Sequence, residues 1–182
     1  QTVVKDIHYD VNFAAMPAVD RCTSCHLGIA SPEFVDAEQP FTTHPNLDLY
    51  LTSKSPHPEE SFGCTSCHAG RSRGTSFISS AHTPNSPEQK KEWKEKYHWK
   101  KVKHWLQPML PTRYTQASCF KCHQNTSDLA GAEKINLGLT LVDRSGCNGC
   151  HVSANWRSTG KSGPDLRKLN EKLHPEWVSK WI

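Results

Sequence analysis

All eight cysteines of the chain stand in Cys-x-x-Cys pairs, and a histidine follows the second cysteine every time. The copies are Cys22-Thr23-Ser24-Cys25-His26, Cys64-Thr65-Ser66-Cys67-His68, Cys119-Phe120-Lys121-Cys122-His123 and Cys147-Asn148-Gly149-Cys150-His151. Two thiols at this spacing add across the two vinyl groups of one porphyrin, and the adjacent imidazole reaches its iron from the same side. That is the attachment signature of haem c. The motifs predict four covalently bound haem c groups. Their thioethers would form at Cys22, Cys25, Cys64, Cys67, Cys119, Cys122, Cys147 and Cys150, with His26, His68, His123 and His151 as proximal iron ligands.

Rival chemistries use the same cysteines. Zinc knuckles close a tetrahedron with thiolates or a thiolate–imidazole mixture, redox dithiols use Cys-x-x-Cys, and small secreted domains pair cysteines as disulfides. None of them requires histidine immediately after the second cysteine. With 11 histidines in 182 residues, four such placements by chance amount to roughly a 10⁻⁵ event.

An iron with two strong axial ligands needs a second histidine or a methionine. Seven histidines lie outside the motifs (His8, His44, His57, His82, His98, His104 and His174), and the two methionines are Met16 and Met109. His44 and His82 sit in similar loops, Thr43-His44-Pro45 and Ala81-His82-Thr83-Pro84, and each follows a motif at a distance that lets it wrap round a porphyrin edge. His57 precedes Cys64 by seven residues, placed to serve a neighbouring haem. His104 is a fourth distal candidate and Met109 a weaker fifth. His98 reads as a propionate partner, and His8 and His174 as exposed residues. Spacing does not assign these ligands to particular irons.

The elements that must position these groups are short. Residues 1–20 read as an unpatterned extended arm, each motif as a short helix, and residues 30–62 as proline-rich loop. Ser86-Pro87-Glu88-Gln89 predicts a helix start, with Ser86 as N-cap, Pro87 at the first helical position and Gln89 completing a capping box. The helix is expected to run to about Leu106, ahead of Pro108. It would place Trp93, Tyr97 and His104 on one face and carry His104 to an iron. Residues 133–151 read as a helical run into the fourth motif, and 175–182 as a helix with Trp177 and Trp181 one turn apart. The expected fold is mainly α with extensive irregular loops, stapled by haem, with little or no β-sheet. Two domains are expected, a three-haem region over 1–128 and a one-haem domain over 129–182.

Composition agrees with a chain that borrows its interior. Hydrophobic residues are 35% and mean hydropathy is −0.68, too polar for a conventional core. The formal charge of +4 would suggest an anionic partner. Eight haem propionates against the ferric charges bring the loaded protein near neutrality instead, and nucleic acid is not an expected partner. There is no run of apolar residues long enough to span a bilayer. Gln1 is not an initiator methionine, so a removed leader and a periplasmic or other extracytoplasmic location are expected.

Residues 21–123 resemble bacterial multihaem c-type cytochromes. The resemblance rests on Asp20-Arg21-Cys22, Pro40-Phe41-Thr42-Thr43-His44-Pro45, Ser55-Pro56-His57-Pro58, Phe62-Gly63-Cys64, Gly74-Thr75-Ser76-Phe77, His82-Thr83-Pro84 and Trp105-Leu106-Gln107-Pro108-Met109-Leu110-Pro111. Gly146 to Ile182 is similar to the front half of a class I cytochrome c domain. There the resemblance implies that the carbonyl of Pro164, in Gly163-Pro164-Asp165-Leu166, accepts a hydrogen bond from His151. Such domains take a methionine ligand from a later loop. The sixth ligand of the fourth iron stays open among Met109, His174, a partner protein and residues beyond Ile182.

The expected function is single-electron relay outside the cytoplasmic membrane, with redox proteins as partners and no catalytic residues. Two alternatives remain. One is a multihaem oxidoreductase with one open haem site. The other is a haem subunit of a membrane quinol-oxidising or respiratory complex, or a protomer of a cytochrome filament.

Overall fold

A computed structural model describes residues 2–11, 13–124, 126, 128–152 and 162–181. The chain divides into two compact units, Gln1–Ser118 and Cys119–Ile182.

The first unit opens with a β-hairpin in which β1 (Thr2–Val11) pairs antiparallel with β2 (Ala14–Asp20). Thr2 faces Asp20 at one end and Val11 faces Ala14 at the other, with a register irregularity between Val3 and His8. This corrects the expectation of an unpatterned arm and of little or no sheet. Val3, Val4, Ile7 and Val11 supply the β-branched content that strands favour. The alternation is hard to see because the buried positions of β2 are the small Ala18 and the charged Asp20. Phe13, at φ 67°, helps close the turn and projects its ring fully into solvent.

Two further residue pairs, β3 (Tyr50–Leu51) and β4 (His57–Pro58), lie parallel. The one-turn helix α1 (Glu59–Phe62) follows and packs on β1. It ends at Gly63, whose φ of 62° is left-handed. A Cβ there would come 2.8 Å from Val4 Cγ2 and 3.1 Å from Asp20 Oδ2, so glycine is required twice over. Then come α2 (Thr65–His68) and α3 (Pro87–Tyr97). The Ser86 hydroxyl accepts from the Gln89 N–H at 3.2 Å, and the Gln89 side chain accepts from the Asn85 N–H at 2.6 Å. The capping box is therefore present, with its return bond moved one residue upstream.

That helix stops nine residues short of the expectation. His98 adopts a left-handed conformation (φ 51°, ψ 38°), and its N–H caps the Trp93 carbonyl. The Trp99 indole N–H then donates to the His82 carbonyl at 2.8 Å. Tertiary anchoring of Trp99 ends the helix well before Pro108 could. A run of 3-10 turns spans Thr112–Lys121.

In the second unit, α4 (Glu133–Arg144) forms as the sequence predicts. The Asn136 side chain accepts from the Leu129 N–H at 3.0 Å and donates to its carbonyl at 2.9 Å. α5 (Cys147–Cys150) follows after Gly146, then α6 (Leu169–Lys172) and α7 (Pro175–Trp181). The Trp177 and Trp181 rings stack at 6.1 Å on α7.

Protein atoms build almost no interior. Among the described residues the buried apolar side chains are Val4, Ala18, Ala81 and Ala132, none larger than valine. The chain exposes 13218 Å². Two separate compact units of these lengths would expose about 10,600 Å².

Candidate metal centre

Each of the four motifs closes the same backbone hydrogen bond, the first and third among 3-10 turns and the second and fourth in a short α-helix. The histidine N–H donates to the carbonyl of the first cysteine, at 2.9 Å for His26 to Cys22, 3.0 Å for His68 to Cys64, 2.9 Å for His123 to Cys119 and 2.9 Å for His151 to Cys147. One helical turn sets residues i, i+3 and i+4 on one face, so each motif offers two thiols and an imidazole to a common ligand. All eight cysteines are free thiols.

In the first unit the structure brings four imidazoles together as two facing pairs. His26 faces His82 with ring centres 6.2 Å apart, and His68 faces His44 at 6.0 Å. A metal–nitrogen length of about 2 Å, with about 1 Å more from nitrogen to ring centre, puts two trans imidazoles on one ion about 6 Å apart. The spacing fits that arrangement in both pairs. The pairs are also exchanged along the chain: His44 follows the first motif yet faces the second, and His82 follows the second yet faces the first.

Backbone carbonyls fix the rings. His82 Nδ1 lies 2.7 Å from the Phe77 carbonyl and His44 Nδ1 2.5 Å from that of Pro45, while His26 bonds to the Pro40 carbonyl. An Nδ1–H committed to a carbonyl leaves Nε2 as the lone pair that a metal takes. Burial pushes His26, His44 and His82 below the ordinary imidazole range, against the opposing effect of those carbonyls. His68 is pushed down to about 4, first by burial and then by His44 and His26. Each shift favours the neutral imidazole, the form that a metal ion binds.

Helix α3 reaches the centre through an aromatic relay. Phe77 stacks on His82 at 4.5 Å and 15°, and Trp93 and Tyr97 pack on Phe77 at 4.9 and 4.8 Å. The aromatic seam of the helix thus meets Phe77. His104, which a longer helix would have carried on that seam, lies exposed in the turn beyond α3. His57 packs between Tyr50 (5.5 Å) and Phe62 (5.1 Å), with Nδ1 on the Leu49 carbonyl at 3.0 Å. Met109 bridges to Ala69, its N–H donates to the Ala81 carbonyl, and the next N–H donates to the His68 carbonyl. That segment ties the second motif to the loop that carries His82.

In the second unit His151 Nδ1 lies 2.8 Å from the Pro164 carbonyl, the hydrogen bond that the class I resemblance implies. A Cβ on Gly163 would come 2.8 Å from His151 Nδ1 and 2.7 Å from the Cys150 carbonyl. Only glycine lets this segment lie so close against the ring. The loop between, 153–161, is outside the described residues.

Sequence reasoning missed the role of Asp20. It is 2% exposed, and its carboxylate accepts from the backbone N–H of Cys64 at 2.9 Å, of Thr65 at 3.0 Å and of Cys22 at 3.3 Å, and from the Thr65 hydroxyl at 3.2 Å. Burial opposes its ionisation, but hydrogen bonds from the Cys22 thiol and these N–H groups prevail and hold it below the usual carboxylate range. The signal was the aspartate two residues ahead of Cys22, a common turn-forming position. Asp20, Cys22 and Cys64 offer ligand atoms within 4.8 Å of one another. That cluster takes one thiol from each of two motifs, whereas a zinc knuckle takes both thiols from one. The thiols of Cys22 and Cys64 share a hydrogen bond, which with burial raises the Cys22 thiol and keeps it protonated.

Among the described residues no helix is long and apolar enough to cross a membrane. The chain matches no protein-family model, no curated protein and no solved structure.

Proposed function

We propose that this chain is a tetrahaem c-type cytochrome that relays single electrons outside the cytoplasmic membrane, between redox proteins. The observation that carries the reading is the double pairing of His26 with His82 and His68 with His44, at the spacing two ligands on one iron require. The histidine-to-cysteine backbone bond common to the four motifs, the His151–Pro164 bond and the small buried apolar side chains among the described residues support it.

Bound haem supplies a one-electron iron couple. The chain does the rest. Its cysteine pairs would tether each macrocycle, and in the first unit the half-buried, neutral His26, His82, His68 and His44 would be the ligands of two irons. At those two irons, paired nitrogen ligands would favour a low potential and leave no open site for a substrate. Carbonyl-anchored Nδ1 atoms hold ring orientation, so little has to move when the iron changes charge. Phe77, Trp93 and Tyr97 shield the His82 ring from water.

The test is the protein matured with haem. Intact mass and the pyridine haemochrome are expected to give four haems per chain, with low-spin spectra and stepwise one-electron reduction. Zinc in place of iron, or fewer than four haems, overturns the reading. Turnover of nitrite, hydroxylamine or peroxide would move it to an enzyme.

A further inference from the structure

Asp20 is the one charged side chain buried among the described residues, and it touches two haem motifs at once. Cys22 lies two residues after it in the chain, and Cys64 and Thr65 lie 44 and 45 residues away. Hydrogen bonds from N–H and hydroxyl groups carry the carboxylate's charge. Amide groups at the start of a helical turn point outward without partners and favour an anion there. One carboxylate serves two such starts. The same contact sets the Cys22 and Cys64 sulfurs side by side, within 4.8 Å of each other. Its charge also reaches the His68 ring.

We infer that Asp20 is a shared positioning residue for the first and second haems: it draws their first-cysteine attachment points together and holds one fixed negative charge beside both groups. The inference rests on the tetrahaem reading. It makes the first two haems an electrostatically joined pair, because a negative charge beside each iron favours the ferric state in both. The four hydrogen bonds that Asp20 accepts all come from the first two motifs.

The experiment compares wild type, Asp20→Asn and Asp20→Glu, each matured with haem. Haem is counted first, so a wild-type count other than four refutes the tetrahaem reading and not this one. In Asp20→Asn carrying four haems, two midpoint potentials are expected to rise together. At fixed ambient potential their reduced-to-oxidised ratio would increase on the order of tenfold, and Asp20→Glu would restore most of the wild-type ratio. No shift, a shift in one haem alone, a shift in all four or no rescue by glutamate overturns the inference. Should Asp20→Asn mature incompletely, peptide mapping decides. Joint loss of haem from Cys22/Cys25 and Cys64/Cys67, with the other two motifs loaded, supports the role. Any other pattern of loss refutes it.

Discussion

The ring planes of His26 and His82 meet at 38°, and those of His68 and His44 at 82°. Near-perpendicular imidazoles leave the two π-interacting orbitals of a low-spin ferric ion almost degenerate, whereas less crossed rings split them. The haem at His68 is therefore expected to give the more anisotropic electron paramagnetic resonance signal. His44→Met should abolish that signal, leave the His26 haem's signal in place, and raise one midpoint potential by on the order of 100 mV. His82→Ala opens a different iron, and carbon monoxide should then bind about one haem per reduced chain beyond any wild-type level; flash photolysis counts it. Asp20 adds a pH dependence. A carboxyl held below its unfolded value stabilises the fold fully above about pH 5, and the contribution is lost as pH falls through about 3.9 toward the folded value. Acid unfolding of Asp20→Asn, followed by loss of the Soret band, should lack that component. The sequence singled out His44 and His82 as distal candidates from their loops. It did not reveal which motif each of them faces, because that depends on where distant loops return.

Individual elements hold the centre through a few contacts that single substitutions remove. Gly63→Ala would press a methyl group on Val4 and Asp20 at a left-handed position. It should destabilise the hairpin against α1 by more than about 1 kcal/mol, read as a lower denaturant midpoint at unchanged haem content. Ser86→Ala removes the cap of α3 at a cost of about 1 kcal/mol. The helix start was legible because its signal is local: serine, proline and glutamine within four residues. Its end was not, since Trp99 leaves the helical path for a bond to His82 on another loop. The hairpin was obscure for a related reason. Its inward face carries Ala18 and Asp20, and an aspartate that caps two distant turns looks, in sequence, like a residue bound for solvent.

At the scale of the whole molecule, the four buried apolar side chains among the described residues, none larger than valine, cannot offset the entropy of ordering so long a chain. The unloaded polypeptide is expected to lack a cooperative thermal transition by far-ultraviolet circular dichroism, and the haem-loaded protein to show one. This part of the fold was readable from composition, which depends on no register or boundary. The exchange of His44 and His82 between the first two motifs bears on how such a protein is made. A nascent chain emerging amino-terminus first presents Cys22 and Cys25 for ligation long before residue 82 exists to cover the opposite side. If the groups attach in chain order, the first would pass through a one-sided, exposed stage until His82 arrives, whereas the second would find His44 already in place.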